Sequence, residues 1–195
     1  MAGVKVFGFA VSTWTRTARM TCIEKGIEHE FLPIPYGSEE HRAKHPFRRI
    51  PVLEVDGETI IETLAIAGFL DEAFPGGPLQ PQGVAERTKM RTWMAICADY
   101  VYRDVVRAIP RDKAPSEEQL SGARDALLAA EGLMADTPYL AGPSLTLADL
   151  YLAPQLANCR EKAPALLDGL AALEGWAARV SDRDSFQLTR PDART

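Results

Sequence analysis

The residues best suited to chemistry lie in two short segments, residues 49–53 and the pair Glu62-Thr63. Pro51 opens a short apolar strand, where a proline suits a bend and permits a cis bond. We expect this bend to leave the backbone N–H and C=O of Ile50 free to pair with an extended, peptide-like ligand. Glu62 and Thr63 fall where a strand gives way to a helix, whose free N–H groups attract a carboxylate. Together the segments predict a site for a small zwitterionic peptide.

The sequence lacks the partner residues that a serine-hydrolase triad or a metal site would need. No G-x-S-x-G pattern surrounds Ser12, so a serine-hydrolase triad is not predicted. His41 and His45 have the i,i+4 spacing of metal ligands, but no nearby cysteine or acidic motif completes a metal site. We therefore predict neither a bound metal nor a resident cofactor.

The composition favours an ordinary globular protein, with 46% hydrophobic and 25% charged residues in a chain of 195. A net charge of -5 argues against nucleic acid as the main partner, because phosphate binding needs a basic face. No apolar run approaches the roughly 20 residues of a membrane span, and a signal-peptide layout is missing. Cys22, Cys97 and Cys159 form no C-x-x-C pair, so we expect reduced, buried thiols in a cytoplasmic protein.

Strand and helix signals alternate along the first half of the chain. The predicted elements are a strand at 4–9, a helix from Ser12 or Thr13 to about Lys25, a strand at 28–33, a helical turn within 37–46, a hairpin at 52–61 and a helix at 63–73. Gly26 is a natural stop for the first helix, and Asp56-Gly57 is the usual turn of a hairpin. The order is therefore βαβ followed by ββα.

A dense cluster of prolines and glycines between residues 75 and 83 marks the predicted domain boundary. Strand signals vanish beyond it, and apolar residues recur at helical spacing around Trp93 and again around Leu127. Residues 146–149 resemble a capping box, and a further helix is predicted over 166–180. We expect a first domain at 1–74, a linker at 75–83 and an all-α domain at 84–195.

With these elements in place, the sequence resembles the cytosolic glutathione transferases over nearly the whole chain. The matching features are the Ile50-Pro51 turn, the acidic-hydroxyl pair Glu62-Thr63, the capping motif at 144–149, and the segment 5–12 of the serine-type, phi-like members. Thr63 stands in place of the more usual serine, and Arg49 in place of glutamine. The resemblance implies a thioredoxin-like α/β N-terminal domain followed by an all-α helical-bundle C-terminal domain.

The resemblance also implies a role for each candidate residue. Ser12 is implied to activate the glutathione sulfur, with Thr13 or Thr15 as alternative donors. Glu62 would accept a hydrogen bond from the α-amino group of glutathione, and Thr63 would meet the neighbouring carboxylate.

The basic segment 41–49 would suit the carboxylate at the other end of the tripeptide. His41, Arg42 and Arg49 are its candidate ligands, and a solvated basic surface is the alternative. Trp14 and Tyr100 are candidates for an apolar acceptor pocket. Tyr100 equally fits a buried helical stripe, so core packing is the favoured interpretation for this residue.

The function implied is transfer of the glutathione thiolate to a hydrophobic electrophile by a cytoplasmic homodimer, with glutathione as co-substrate. A glutathione-dependent isomerase or peroxidase on the same fold is one alternative. A non-catalytic binding module is another, because a fold can persist after its chemistry is lost. The absence of a cysteine beside Ser12 argues against thiol-disulfide reductase chemistry.

Overall fold

A computed structural model describes residues 3–110 and 112–193, which fall into two compact units. One unit combines the chain up to Pro78 with the segment from Arg183 onward, and the other spans Leu79–Asp182. The predicted fold class is confirmed. The domain boundaries remain a prediction, and that prediction did not include the return of the C-terminal segment to the first unit. Within the described ranges, no helix is both long and apolar enough to cross a membrane.

The first unit is built around a four-stranded mixed sheet. Its elements are β1 (Val4–Phe7), α1 (Thr13–Glu24), β2 (His29–Leu32), α2 (Glu39–Lys44), β3 (Val52–Val55), β4 (Glu58–Ile61) and α3 (Thr63–Ala73). The strand order is β2-β1-β3-β4, with β1 parallel to β2 and β3 antiparallel to both of its neighbours. Asp56 and Gly57 join β3 to β4 with φ of 51° and 85°, the positive values that a tight hairpin turn requires.

A buried ion pair ties the end of α1 to α3. The Lys25 ammonium lies 3.1 Å from the Asp71 carboxylate and also donates to the backbone carbonyl groups of Asp71 and Gly77. Both side chains are almost completely buried. Because a buried charge needs a partner, this cluster also fixes the chain that leaves α3.

The C-terminal segment returns to α1. There α8 (Asp184–Leu188) offers backbone carbonyl groups to two buried arginines of that helix. The Arg16 guanidinium donates to the carbonyl of Phe186 at 3.3 Å, and Arg19 donates to that of Leu188 at 3.5 Å. The segment thereby supplies acceptors to two charges buried in α1.

The second unit is helical throughout its regular elements. They are α4 (Val84–Ile96), a π-helical continuation (Cys97–Arg107), α5 (Glu117–Gly132), α6 (Leu147–Lys162), a 3₁₀ turn (Pro164–Leu167) and α7 (Ala171–Ser181). The single helix predicted over 166–180 is wrong, because Gly169 has a φ of 75° and interrupts it before Ala171. The π-helical winding was likewise not predicted.

The capping box predicted at the start of α6 is confirmed. The Asp149 carboxylate is fully buried and accepts hydrogen bonds from the Thr146 hydroxyl and from the N–H groups of Thr146, Leu140 and the Trp176 indole, all at 2.8–2.9 Å. Burial raises the pKa of Asp149, and these four bonds oppose that rise. The start of α6 is therefore sealed from solvent and closed by the protein itself.

Candidate functional site

One end of the sheet gathers the segments that the sequence singled out. Phe7, the last residue of β1, pairs with Val52 at the start of β3, and Val52 pairs with Ile61 at the end of β4. The chain that leaves β1 towards Ser12 and the chain that leaves β4 at Glu62 must therefore emerge at the same end of the sheet. The turn that precedes β3 lies there too.

Ser12 is the N-cap of α1 and is half-buried. Its hydroxyl oxygen accepts a hydrogen bond from the backbone N–H of Thr15 at 3.2 Å. Because capping uses only a lone pair of the hydroxyl, its O–H remains able to donate to a ligand atom. Helix capping and sulfur binding are therefore compatible roles for this side chain.

The two alternative donors are less accessible than Ser12. Thr13 and Thr15 are exposed by only 4% and 0%, and neither hydroxyl has a partner within residues 3–110 and 112–193. The Thr15 side chain lies directly against Gly8, where an added Cβ would collide with it. Burial thus favours Ser12 as the hydroxyl that a ligand could reach.

The peptide bond between Ile50 and Pro51 is cis, as the sequence suggested. Ile50 is partly exposed, and none of the hydrogen bonds between described residues uses its N–H or C=O. This backbone edge is the one predicted to pair with an extended peptide.

His41 is fully buried on the inner face of α2, and the protein uses both of its ring nitrogens. The backbone N–H of Gly37 donates to Nδ1 at 3.1 Å, so Nδ1 carries no proton. Nε2 therefore carries the proton and donates it to the carbonyl of Arg49 at 2.9 Å. With no nitrogen left to offer, His41 does not suit the role of direct ligand predicted for it.

Glu62 occupies the N-cap of α3 in an unusual conformation, with φ of 69° and ψ of 122°. Its side chain makes no capping bond and is 65% exposed. Non-glycine residues with positive φ are uncommon, and such strain clusters at functional sites. The first N–H groups of α3 thus lack a side-chain cap beside an exposed carboxylate, as an amino-acid ligand would require.

His45 lies beneath Glu62. Its buried Nε2 is 3.8 Å from the Glu62 carboxylate, and its Nδ1 has no partner among the residues that the structure describes. Burial lowers the pKa of His45; Glu62 opposes this effect, while His41 and Arg49 reinforce it. The ring is therefore biased towards its neutral form.

The basic segment separates into paired and unpaired cations. Lys44 pairs with Glu54, and Arg42 donates to the carbonyl of Gly37 at 3.3 Å. Arg48 and Arg49 are exposed, and their guanidinium groups have no ion-pair partner among the described residues. Arg49, next to Ile50, is thus better placed than Lys44 to receive a carboxylate.

Comparison with known proteins identifies the family. Residues 6–78 match the N-terminal domain of glutathione S-transferase, and residues 93–184 match its C-terminal domain. A glutathione S-transferase of Arabidopsis thaliana is 30% identical over 200 residues, with 91% of each chain covered. The chain belongs to the glutathione S-transferase family.

Two further similarities cover nearly all of this chain. Maleylacetoacetate isomerase of Rattus norvegicus is 28% identical, with 95% of this chain and 91% of the relative covered. The solved structure of a glutathione S-transferase from Rhodospirillum rubrum superposes with a TM-score of 0.85 at 25% identity, covering 98% of this chain and 94% of the other. The family therefore includes relatives with different named activities.

The three cysteines, Cys22, Cys97 and Cys159, are free and buried. Burial raises the pKa of Cys22 to about 12 and that of Cys159 to about 11, and it also raises the pKa of Cys97. The expectation of buried, reduced thiols is confirmed. None of them is poised as a thiolate, as a protein-based thiol nucleophile would need to be.

The two aromatic candidates lie in different units. Trp14 is half-buried in the first turns of α1. Tyr100, in the π-helical segment of the second unit, is 54% exposed, and the Arg103 guanidinium lies 5.5 Å from its ring centroid. The favoured interpretation that Tyr100 packs in the core is therefore wrong.

For two residues of the basic segment 41–49, the sequence did not predict the local geometry. One is His45, whose position under Glu62 depends on how α2 meets the sheet. The other is Arg48, which adopts a φ of 53° beside the turn. An arginine gives no signal of positive φ, because that conformation favours glycine or asparagine.

Proposed function

We propose that the protein is a glutathione transferase that adds the glutathione thiolate to a hydrophobic electrophile. The observation that carries the proposal is the convergence of Ser12, Ile50 and Glu62 at one end of the sheet in a chain of this family. A hydroxyl donor, an unpaired backbone edge and an open helix start are the groups that a cysteine-containing tripeptide needs.

Glutathione would lie across this end of the sheet. The Glu62 carboxylate would accept from its α-amino group, and the Thr63 hydroxyl and N–H would meet the carboxylate next to it. The backbone of Ile50, ahead of Pro51, would pair with the central cysteinyl residue. Arg49, supported by Arg42, would receive the glycine carboxylate as a guanidinium fork.

Ser12 would donate its O–H to the sulfur and thereby favour thiolate over thiol. Lowering the pKa of glutathione by about two units needs roughly 2.7 kcal/mol, which one charge-assisted hydrogen bond and the helix terminus can supply. From a thiol pKa of ~8.5 this raises the thiolate fraction at pH 7 roughly 20-fold. Nucleophilicity falls with pKa, so the net gain is only several-fold, and positioning of the electrophile must supply the rest.

The decisive experiment measures the pKa of bound glutathione by its thiolate ultraviolet absorbance. Ser12→Gly removes the hydroxyl but costs the helix cap only a few tenths of a kcal/mol, so its effect on folding is small. We expect the pKa of the bound thiol to rise by about two units and kcat with an aryl halide to fall several-fold, with little change in KM. Ser12→Thr, which keeps a hydroxyl, is the matched control. If the pKa of the bound thiol rises in Thr13→Val or Thr15→Val instead, that threonine, and not Ser12, is the donor to the sulfur.

Isomerisation is the second candidate, because a maleylacetoacetate isomerase is among the relatives. An isomerase returns glutathione unchanged, whereas a transferase consumes its thiol. Titration of free thiol during turnover separates the two. Binding of glutathione without either reaction would favour a non-catalytic module.

We also infer a cytoplasmic homodimer and a role in detoxification, which the family resemblance supports. Trp14 remains our candidate for the apolar acceptor pocket, and a role of Tyr100 in that pocket remains a prediction. Analytical ultracentrifugation tests the dimer.

A further inference from the structure

The His41 ring is a bridge between two backbone groups. It receives the N–H of Gly37 on one side and donates to the carbonyl of Arg49 on the other, at 3.1 and 2.9 Å. Full burial excludes water as a competing partner for either nitrogen. The Tyr36 ring, 5.0 Å away between centroids, packs against it. The ring is therefore held in one orientation and one tautomer.

The segment that this bridge holds has few other restraints. Residues 46–50 lie outside every helix and strand. Between described residues, the two hydrogen bonds that anchor them are Arg48 N–H to the carbonyl of His45, at 2.8 Å, and the bond from His41 to Arg49. Arg48 itself adopts the left-handed φ of 53°, a conformation that is strained for a non-glycine residue. Residues 46–49 are exposed, so they contribute little packing of their own, and the two hydrogen bonds carry most of the restraint.

We propose that His41 is a positioning residue for glutathione binding, acting through the carbonyl of Arg49. That carbonyl belongs to the peptide bond that carries the N–H of Ile50. Fixing the carbonyl fixes the plane of this bond, since peptide bonds are planar, and so sets the direction of the Ile50 N–H. The inference rests on the proposed function, because it assigns the Ile50 edge to glutathione.

Such a role predicts a split between KM and kcat. The Ile50 backbone would bind the tripeptide equally in the ground state and in the transition state. Loss of its alignment should therefore raise KM for glutathione and leave kcat unchanged. A residue needed only for folding would change neither parameter of the molecules that remain folded.

Three variants separate the two hydrogen bonds of the ring. A glutamine amide reaches the position of Nε2, so His41→Gln retains a donor for Arg49. An asparagine amide reaches only the position of Nδ1, so His41→Asn retains an acceptor for Gly37. His41→Leu retains neither. A misaligned Ile50 N–H that loses its hydrogen bond to the ligand would lower the affinity by up to roughly tenfold, the equivalent of one neutral hydrogen bond.

The experiment measures the Kd of S-methylglutathione by calorimetry together with KM and kcat for conjugation. We expect His41→Leu and His41→Asn to weaken binding by about 5- to 10-fold and His41→Gln by less than about twofold, with kcat unchanged. Val180→Ala, a buried change in α7 of the second unit, controls for lowered stability and should bind normally.

Amide hydrogen exchange of the segment around Ile50 gives a second measurement that needs no ligand. Exchange should be faster in His41→Leu than in His41→Gln. Equal affinity in all three variants, or equal weakening of Gln and Leu, overturns the inference. Failure of the wild-type protein to bind S-methylglutathione instead overturns the proposed function itself.

Discussion

The N-termini of α6 and α3 differ in capping and in exposure. At α6, the Asp149 carboxylate is buried and takes four hydrogen bonds, so the helix end is closed by the protein. At α3, Glu62 adopts a strained positive φ, makes no capping bond and has a largely exposed carboxylate. A helix N-terminus that is capped by the protein's own side chains contributes stability. An uncapped N-terminus has N–H groups that can bind another molecule.

The comparison predicts its largest effect on stability at α6. Asp149→Ala leaves the buried N–H of Leu140 and the indole N–H of Trp176 without an acceptor, at about 1–3 kcal/mol each, and also removes the capping box. We expect the free energy of unfolding in urea to fall by about 3–5 kcal/mol. A loss below about 1 kcal/mol would mean that the closed end is not a stabilising device.

At α3 the same kind of change should affect binding and spare stability. Glu62→Gln removes the charge that would meet the amino group, so we expect the Kd of S-methylglutathione to rise about 10-fold or more in calorimetry. The free energy of unfolding should change by no more than about 0.5 kcal/mol. Glu62→Gly, which also relieves the positive φ, is the matched variant and should be somewhat more stable than wild type. Unchanged affinity in both variants would contradict the assignment of Glu62.

The smallest effect concerns pH and the His45 ring under Glu62. Burial lowers the pKa of His45 in the folded protein, so below the unfolded pKa of about 6.5 the unfolded chain binds more protons. The stability that neutral His45 contributes to the folded protein is therefore complete above pH 6.5. It is lost as pH falls towards the folded pKa, and the free energy of unfolding drops by at most about 1.4 kcal/mol per pH unit.

Urea unfolding of wild type and His45→Gln at pH 7.5 and 5.5 tests this titration. The glutamine variant cannot titrate, so it should lose less stability on acidification. Glu62, His41 and Arg49 are the charged or titratable groups that affect His45 most. Parallel losses in the two proteins would assign the pH dependence to other groups.

Local patterns were sufficient to predict most elements of the fold. The Asp56-Gly57 hairpin and the helix at Thr63–Ala73 follow from turn chemistry and apolar spacing. Two errors have local physical causes. Gly169 takes a positive φ that breaks the predicted helix, and the segment Cys97–Arg107 winds as a π-helix, which apolar spacing does not distinguish from an α-helix.

The candidate site was less predictable, because long-range packing determines burial. The sequence places His41 in a basic segment for which an exposed position is expected. In the structure it is fully buried and bonded to the backbone of Gly37 and Arg49. Ser12, by contrast, could be placed from its capping position alone. Patterns along the chain predict which groups begin an element, but contacts between distant segments decide which side chains remain accessible.

The return of α8 to α1 has a consequence for biosynthesis. Arg16 and Arg19 leave the ribosome early, but the carbonyl groups that accept their hydrogen bonds lie 170 and 169 residues further along the chain. The helix that carries Ser12 at its N-cap therefore acquires these contacts only after the whole second unit has been translated. The first unit to emerge is thus among the last parts of the molecule to be completed.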